Sequence, residues 1–328
     1  MLRRLRAAFA LGSALALALV GTAHAQDWPS RPLTMVVPFA AGGPVDTIGR
    51  ILGARLSEIL GQQVVIENVG GAGGMIGASR VAKAAPDGYV FLFGTNSVFA
   101  FNQTIYKKPL YDTVADFAPV ALFADSARIL IARKDFPASS LAEFNAHAKS
   151  NQAKLQYGSA GHGSGAHVCA ALLDAINGTK IAHVPYRGTA QAMQDLIGGR
   201  LDFICEQIST AVAQIEGGTV KGIAVLGPGR VSVLPDLATA KELGIAELDC
   251  NSWSALMLPK GTPDAIVRRL AQASNEAVET ASVRERLERA GVTIPQADRR
   301  SPEYLAEFVK TEITKWAAVI RAAGITAD

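Results

Sequence analysis

The chain is poor in charge of either sign, in aromatic side chains, in cysteine and in long apolar runs. Charged residues make up 19% and aromatics 6% of its 328 residues. Lys and Arg number 32 against 29 Asp and Glu, and Arg3, Arg4 and Arg6 are the only ionised side chains in the first 25 positions. Beyond that segment bases and acids balance at 29 each. A balanced chain lacks the cationic excess that neutralises phosphates, which argues against a nucleic-acid partner. Few aromatics leave no platform for stacked bases. An apolar content of 49% beside so little charge excludes disorder. The mostly apolar stretch over residues 7–20 falls short of the roughly 20 residues that span a bilayer, and no later run is longer.

What is present starts with an address. A basic start, a short apolar stretch and Ala23-His24-Ala25 before Gln26 have the anatomy of a secretory signal peptide over residues 1–25, cleaved near Ala25. No Cys follows the apolar stretch to carry a lipid anchor. Residues 26–328 then form an exported, soluble chain, long enough for two domains. In the periplasm there is no supply of ATP or NAD, so no cofactor is expected. The compartment is oxidising, and Cys169, Cys205 and Cys250 allow one disulfide and one free thiol. The spacing does not choose the pair.

Residues 33–37 read as a strand. Ile48, Ile51, Leu52, Leu56, Ile59 and Leu60 then mark one helical face that Gly61 closes. A strand at 64–66, a helix at 76–84 and a strand at 90–93 continue an α/β alternation, which predicts a buried parallel sheet. A second set follows, with strands at 127–132, 155–157, 181–186, 202–205 and 221–226 and helices at 141–149, 164–176 and 190–197. After Ser252 the chain reads as helical. Thr262-Pro263 starts one helix, Ser282 with Glu285 forms a capping box for a second ended by Gly291, and Ser301-Pro302 starts the last. This tail is expected to pack back on one lobe.

Ligands of open α/β sheets bind at strand carboxyl ends, and helix N-termini attract anions there. Three glycine-rich turns occupy such places. The first runs from Phe39, Ala40 and Ala41 through Gly42, Gly43 and Pro44 to Asp46. Its glycines permit close backbone approach, whereas Asp46 brings a negative charge that suits a ligand donor better than an anion. The second, Asn68 to Gly74, lacks the Lys-Ser/Thr of a P-loop and the G-x-G-x-x-G spacing, so it does not predict a nucleotide. The third includes Ser159, Ala160, Gly161, His162, Gly163 and Ser164, with Ser164 as helix cap. Neither serine sits in a G-x-S-x-G elbow, and neither has an evident acid and base partner. His162, His167 and Cys169 match no established zinc spacing, so no metal is expected. Farther on, Tyr186 and Arg187 end a strand, Thr189 reads as the next cap, and Arg187 has the chemistry to pair with a carboxylate.

In these motifs, in Pro86-Asp87-Gly88-Tyr89, in Val184-Pro185-Tyr186 and in Leu234-Pro235-Asp236, the chain resembles the periplasmic solute receptors of tripartite tricarboxylate transporters, often called the Bug family. The resemblance implies a two-lobed type II periplasmic binding protein, each lobe a doubly wound α/β sheet with flanking helices. Residues 26–123 with 253–328 would form one lobe and 124–252 the other, with hinges near 121–125 and 250–254. A carboxylate-bearing ligand would lie between them, held by the 39–46 turn and the 159–164 turn, with Thr95, Tyr186, Arg187 and Glu206 facing the same cleft. Its partners would be a membrane permease or a sensor protein, and the receptor a monomer without catalytic activity. Val45, His162 and Glu206 depart from the common pattern and leave the ligand open. A subgroup with Cys169 and Cys205-Glu206-Gln207 implies a Cys169–Cys205 disulfide with Cys250 free. The competing classes are a periplasmic hydrolase using Ser159 or Ser164 and a ligand-sensing partner of a membrane signalling protein.

Overall fold

The computed structural model describes residues 28–327, so the signal-peptide assignment lies outside the described residues. The chain enters on β1 (Leu33–Val37), apolar at every position but Thr34, which suits a strand covered on both faces. Helix α1 (Pro44–Leu60) has Pro44 in its first turn and ends on Gly61 in the left-handed conformation. Then come β2 (Val64–Asn68), a short 3-10 turn at Ala72–Gly74, α2 (Met75–Ala82) and β3 (Val90–Thr95). A helical stretch over 97–105 leads to β4 (Phe117–Ser126).

One residue, Ala127, separates β4 from β5 (Arg128–Arg133), which lies in a second sheet. That half continues with α3 (Leu141–Asn151), β6 (Gln156–Ser159), α4 (Gly165–Asn177), β7 (Ala182–Pro185), α5 (Thr189–Ile197), β8 (Phe203–Gln207), α6 (Ile208–Glu216) and β9 (Val220–Val225). The chain returns to the first sheet on β10 (Ser252–Pro259) and finishes with α7 (Asp264–Glu279), α8 (Ala281–Arg289), β11 (Val292–Thr293) and α9 (Pro302–Ala322). The sheets have strand orders β11-β4-β10-β3-β1-β2 and β7-β6-β8-β5-β9.

Both sheets are mixed rather than purely parallel. β1 pairs parallel with β2 and β3, but β10 is antiparallel to β3 and β4. In the second sheet β6 is parallel to β7 and β8, while β5 is antiparallel to β8 and β9. A strand that crosses from the other half arrives from the opposite end, which reverses its direction. The stretch after Ser252 opens as a strand, not a helix, because its eight residues insert between two others and are all buried. The last helix also departs from expectation by touching both halves. Leu305 and Val309 pack with Trp253 and Phe117 of the first, whereas Trp316 and Ile320 pack with Val168 of α4.

Two local assignments change. Thr280, not Ser282, is the N-cap of α8, without a side-chain cap bond; the reciprocal capping box is at Ser140 and Glu143, at the start of α3. The disulfide joins Cys169 to Cys250 rather than to Cys205. All three sulfurs belong to one apolar cluster, but the Cα atoms of 169 and 250 lie 5.6 Å apart, within the range for a bridge. Cys250 is brought there by its N–H bond to Leu226 O, the residue after β9. Cys205 stays a free, buried thiol in β8, its pKa raised to about 12 by burial.

Candidate ligand-binding cleft

The two sheets face each other across a cleft onto which helix N-termini converge. Gly43, Pro44 and Val45 bring the start of α1; Ser164, Gly165 and Ala166 bring the start of α4. Thr189 opens α5, and Gln207 is the N-cap of α6. Amides in these first turns have no intrahelical acceptor and sit at positive dipole ends.

Of the sequence-predicted residues, Phe39, Gly43, Thr95, Ala160, Ser164 and Glu206 line this space. Ala40, Ala41 and Gly42 form the adjoining turn. Asp46 braces that turn, accepting from Gly42 N, Arg50 Nε and Asn68 Nδ2, each at 2.9 Å. Burial works against its charge, but these donors outweigh it and hold the carboxyl below its ordinary range. Ser164 caps α4 by accepting from His167 N, as expected. Thr189 is not a cap: Gly188 occupies that position, and the threonine hydroxyl donates to Glu206 Oε1 at 3.1 Å. Tyr186 donates its hydroxyl to Asp195 at 2.6 Å, and Arg187 is exposed, its carbonyl accepting from Ala40 N across the cleft.

Ser159 is fully buried. Its hydroxyl accepts from Gly161 N and lies 2.6 Å from His183 Nε2, a partner on the neighbouring strand that sequence spacing did not reveal. Gly161 and Gly163 both have positive φ, and Gly163 N donates to His167 Nδ1.

Sequence reasoning missed the most polar wall. Arg128, the first residue of β5, is buried and lines the cleft. Its Nη1 donates to Cys205 O at 3.3 Å, and among the described residues no ion pair joins it to a carboxylate. Burial lowers its pKa, with Glu206 opposing that shift. The guanidinium rests on Gly165: a Cβ there would overlap Arg128 Nη2, so only glycine lets the cation reach the start of α4. A cation therefore sits against a positive helix end. Glu206, buried nearby, has its own pKa raised by burial in spite of bonds from Thr189 and Gln207 N. Beside it, Gln207 Oε1 is buried without a hydrogen-bond partner. The clue to Arg128 lay in register: it pairs with Gln207, so the amino end of an antiparallel strand reaches the carboxyl edge of β8.

The halves also touch directly. Ala40 N donates to Arg187 O at 3.3 Å, Tyr106 Oη to His162 O at 2.8 Å and Gly165 N to Ser97 Oγ at 2.8 Å. Glycines allow the contact: a Cβ on Gly73 would overlap His162 O, and one on Gly188 would lie 2.7 Å from Ala40 Cβ.

Two mixed α/β halves, joined by short crossings and closing helix starts over one cleft, define a two-lobed solute-binding receptor. The family described as "Tripartite tricarboxylate transporter family receptor" matches residues 48–325. The chain belongs to this family of periplasmic solute receptors. It is 41% identical over 304 residues to the "UPF0065 protein in the TAR-I ttuE-ttuC' intergenic region" of Agrobacterium vitis, covering 92% of this chain and 87% of that one. Among solved structures it is similar to the periplasmic binding protein BugD, with a TM-score of 0.88, 37% identity, and 91% and 99% of the two chains covered. It is also similar to MatC (Rpa3494) from Rhodopseudomonas palustris with bound malate, with a TM-score of 0.87, 38% identity, and 89% and 100% covered. Among the described residues no helix is long and apolar enough to cross a membrane.

Proposed function

We propose that this receptor captures a small aliphatic carboxylate carrying a hydrogen-bond donor, such as a hydroxy acid, and delivers it to the permease of a tripartite transporter. One observation carries the reading: Arg128 is buried at the positive end of α4 with no ion-paired carboxylate. A buried cation is costly when unpaired, and a carboxylate ligand supplies the missing charge. Gln207 Oε1 and Glu206 face the same space as acceptors and would take the ligand's hydroxyl hydrogen. The malate bound by the similar receptor has both groups.

Residues 26–123 with 253–328 and residues 124–252 would move as two bodies about the crossings at Ala127 and near Ser252. There Asn96 ties β3 to the second crossing, donating to Asn251 O at 3.0 Å and accepting from Ser252 Oγ at 3.3 Å. Closure excludes water and strengthens the polar contacts inside. The mature receptor, cleaved near Ala25, would act as a monomer without catalysis. The turns at 39–46 and 159–164 would supply backbone donors, and Thr95 a hydroxyl.

The test is thermal stability across a panel of hydroxy dicarboxylates, plain dicarboxylates, their amides and aromatic acids, with mass spectrometry of the recovered ligand. A rise in Tm for hydroxy acids and none for the uncharged amides is expected, with the ligand returned unaltered. No shift with any acid overturns the reading, and an altered ligand points to an enzyme.

A further inference from the structure

Beside the cleft, the fold assembles a group of side chains that neither the capture of a carboxylate nor the spacing in sequence accounts for. His162 comes from the glycine turn, His167 from the first turn of α4 and His183 from β7. One ring nitrogen of each can be chosen so that all three lie within 4.8 Å of one another. The rings are in mutual contact, with centroids 4.5 to 5.3 Å apart. His167 is buried, His183 half-buried and His162 exposed.

Two features of this cluster fit a metal better than a packed core. First, His183 Nδ1 is buried and has no hydrogen-bond partner. An orphaned acceptor of this kind is costly unless something coordinates it. Second, the other nitrogen of the same ring is 2.6 Å from Ser159 Oγ. A metal-binding imidazole is held in this way, its remote N–H given to a fixed acceptor, so Ser159 fixes the His183 ring through Nε2 and leaves Nδ1 as the nitrogen available to ligate. His167 Nδ1 accepts from Gly163 N at 3.3 Å, a long bond that ligation through that atom would replace.

We propose that His162, His167 and His183 form a three-imidazole site for a first-row divalent cation of borderline character, Zn2+ being the natural probe. Imidazole donors favour Zn2+, Cu2+ and Ni2+ over Mg2+ or Ca2+. Three ligands leave a fourth position, and the exposure of His162 puts that position toward solvent. Cys169 takes no part, being in the disulfide. Sites of this class couple to local structure, so the ion would tie the 161–167 turn to β7 and stiffen the wall on which Tyr106 closes through His162 O.

The experiment uses tag-free mature protein, stripped with a chelator, and titrates Zn2+ by calorimetry and Co2+ by visible absorption. One equivalent is expected to bind, with the intense visible bands of a four-coordinate Co2+ site. His162→Ala, at an exposed position, is expected to weaken binding about tenfold or more, and His183→Gln likewise. His147→Ala, which alters the remaining histidine downstream of residue 25, is expected to leave binding unchanged. Circular dichroism of each variant separates lost ligation from lost fold. Absence of stoichiometric binding, or binding that survives His162→Ala and His183→Gln in folded protein, overturns the proposal.

Discussion

At the scale of single residues, the proposed capture of a carboxylate turns on Arg128 and its surroundings. Arg128→Met removes a buried charge while keeping most of the side-chain volume. Hydrogen bonds to charged groups contribute about 1.5–3 kcal/mol, so the variant is expected to bind its carboxylate about 10- to 100-fold more weakly. Its Tm without ligand is expected to hold or rise, since replacing a buried ion by an apolar side chain is often neutral or stabilising. Calorimetry and thermal melts on the same preparation check both halves of the prediction. Unchanged affinity would remove Arg128 from the site. This residue was not legible in the sequence because nothing in the order of residues marks an arginine at a strand start as buried. Ser164 was legible, as a cap before an apolar helix, and so was the proline that opens α1. Arg187, read as a pairing residue by type, lies exposed with only its carbonyl engaged across the cleft.

Elements show how local chemistry shapes the turns that flank the cleft. The 39–46 turn is held by a carboxylate at the start of α1 that takes bonds from its own turn, its own helix and β2. Because the folded pKa of Asp46 lies below its ordinary 3.8, the stabilisation is complete above that value and is lost as pH falls through the folded one. Asp46→Asn is expected to lower stability by about 1–3 kcal/mol at pH 7. The difference from wild type should shrink below about pH 4, in urea unfolding followed from pH 3 to 7. A constant difference across that range would mean that the charge is not what matters. Most elements could be read from periodicity: α1 from its stripe of Ile and Leu, β1 and β3 from apolar runs. β4 escaped because Pro119 and the mixed composition around it hide a strand that is paired on both sides. α6 escaped because it begins directly after β8 with no turn residue between them. The sulfur pairing was not readable either, since all three cysteines fall in one apolar cluster and only packing selects the pair.

For the whole molecule the question is how two halves meet. Gly188 has an extended backbone with φ of −174°, so alanine there carries no conformational penalty of its own. Its Cβ would nevertheless lie 2.7 Å from Ala40 Cβ and 3.0 Å from Ala40 N, on the opposite half. Gly188→Ala is therefore expected to leave the ligand-free Tm unchanged while weakening ligand binding by at least about tenfold, equivalent to about 1.4 kcal/mol of lost closure. Small-angle scattering should show the wild type compacting on ligand addition and the variant failing to do so. Compaction and affinity equal to wild type would show that this seam does not gate closure. The two-sheet architecture was legible from the α/β alternation and the ordered motifs. That the last helix straddles both halves was not, because its apolar face gives no sign of which surface it meets.

The cation lying against the start of α4 bears on more than affinity. With the cleft shut and no anion inside, the guanidinium and the positive helix end would face each other with only the buried Glu206 nearby to offset them. The empty protein would then meet resistance to adopting the shape that announces a cargo. A neutral molecule of the right size would leave that resistance in place, whereas an anion would relieve it. Arg128 would thus act as a safeguard against false reports, keeping an unloaded receptor from occupying a partner meant for a loaded one.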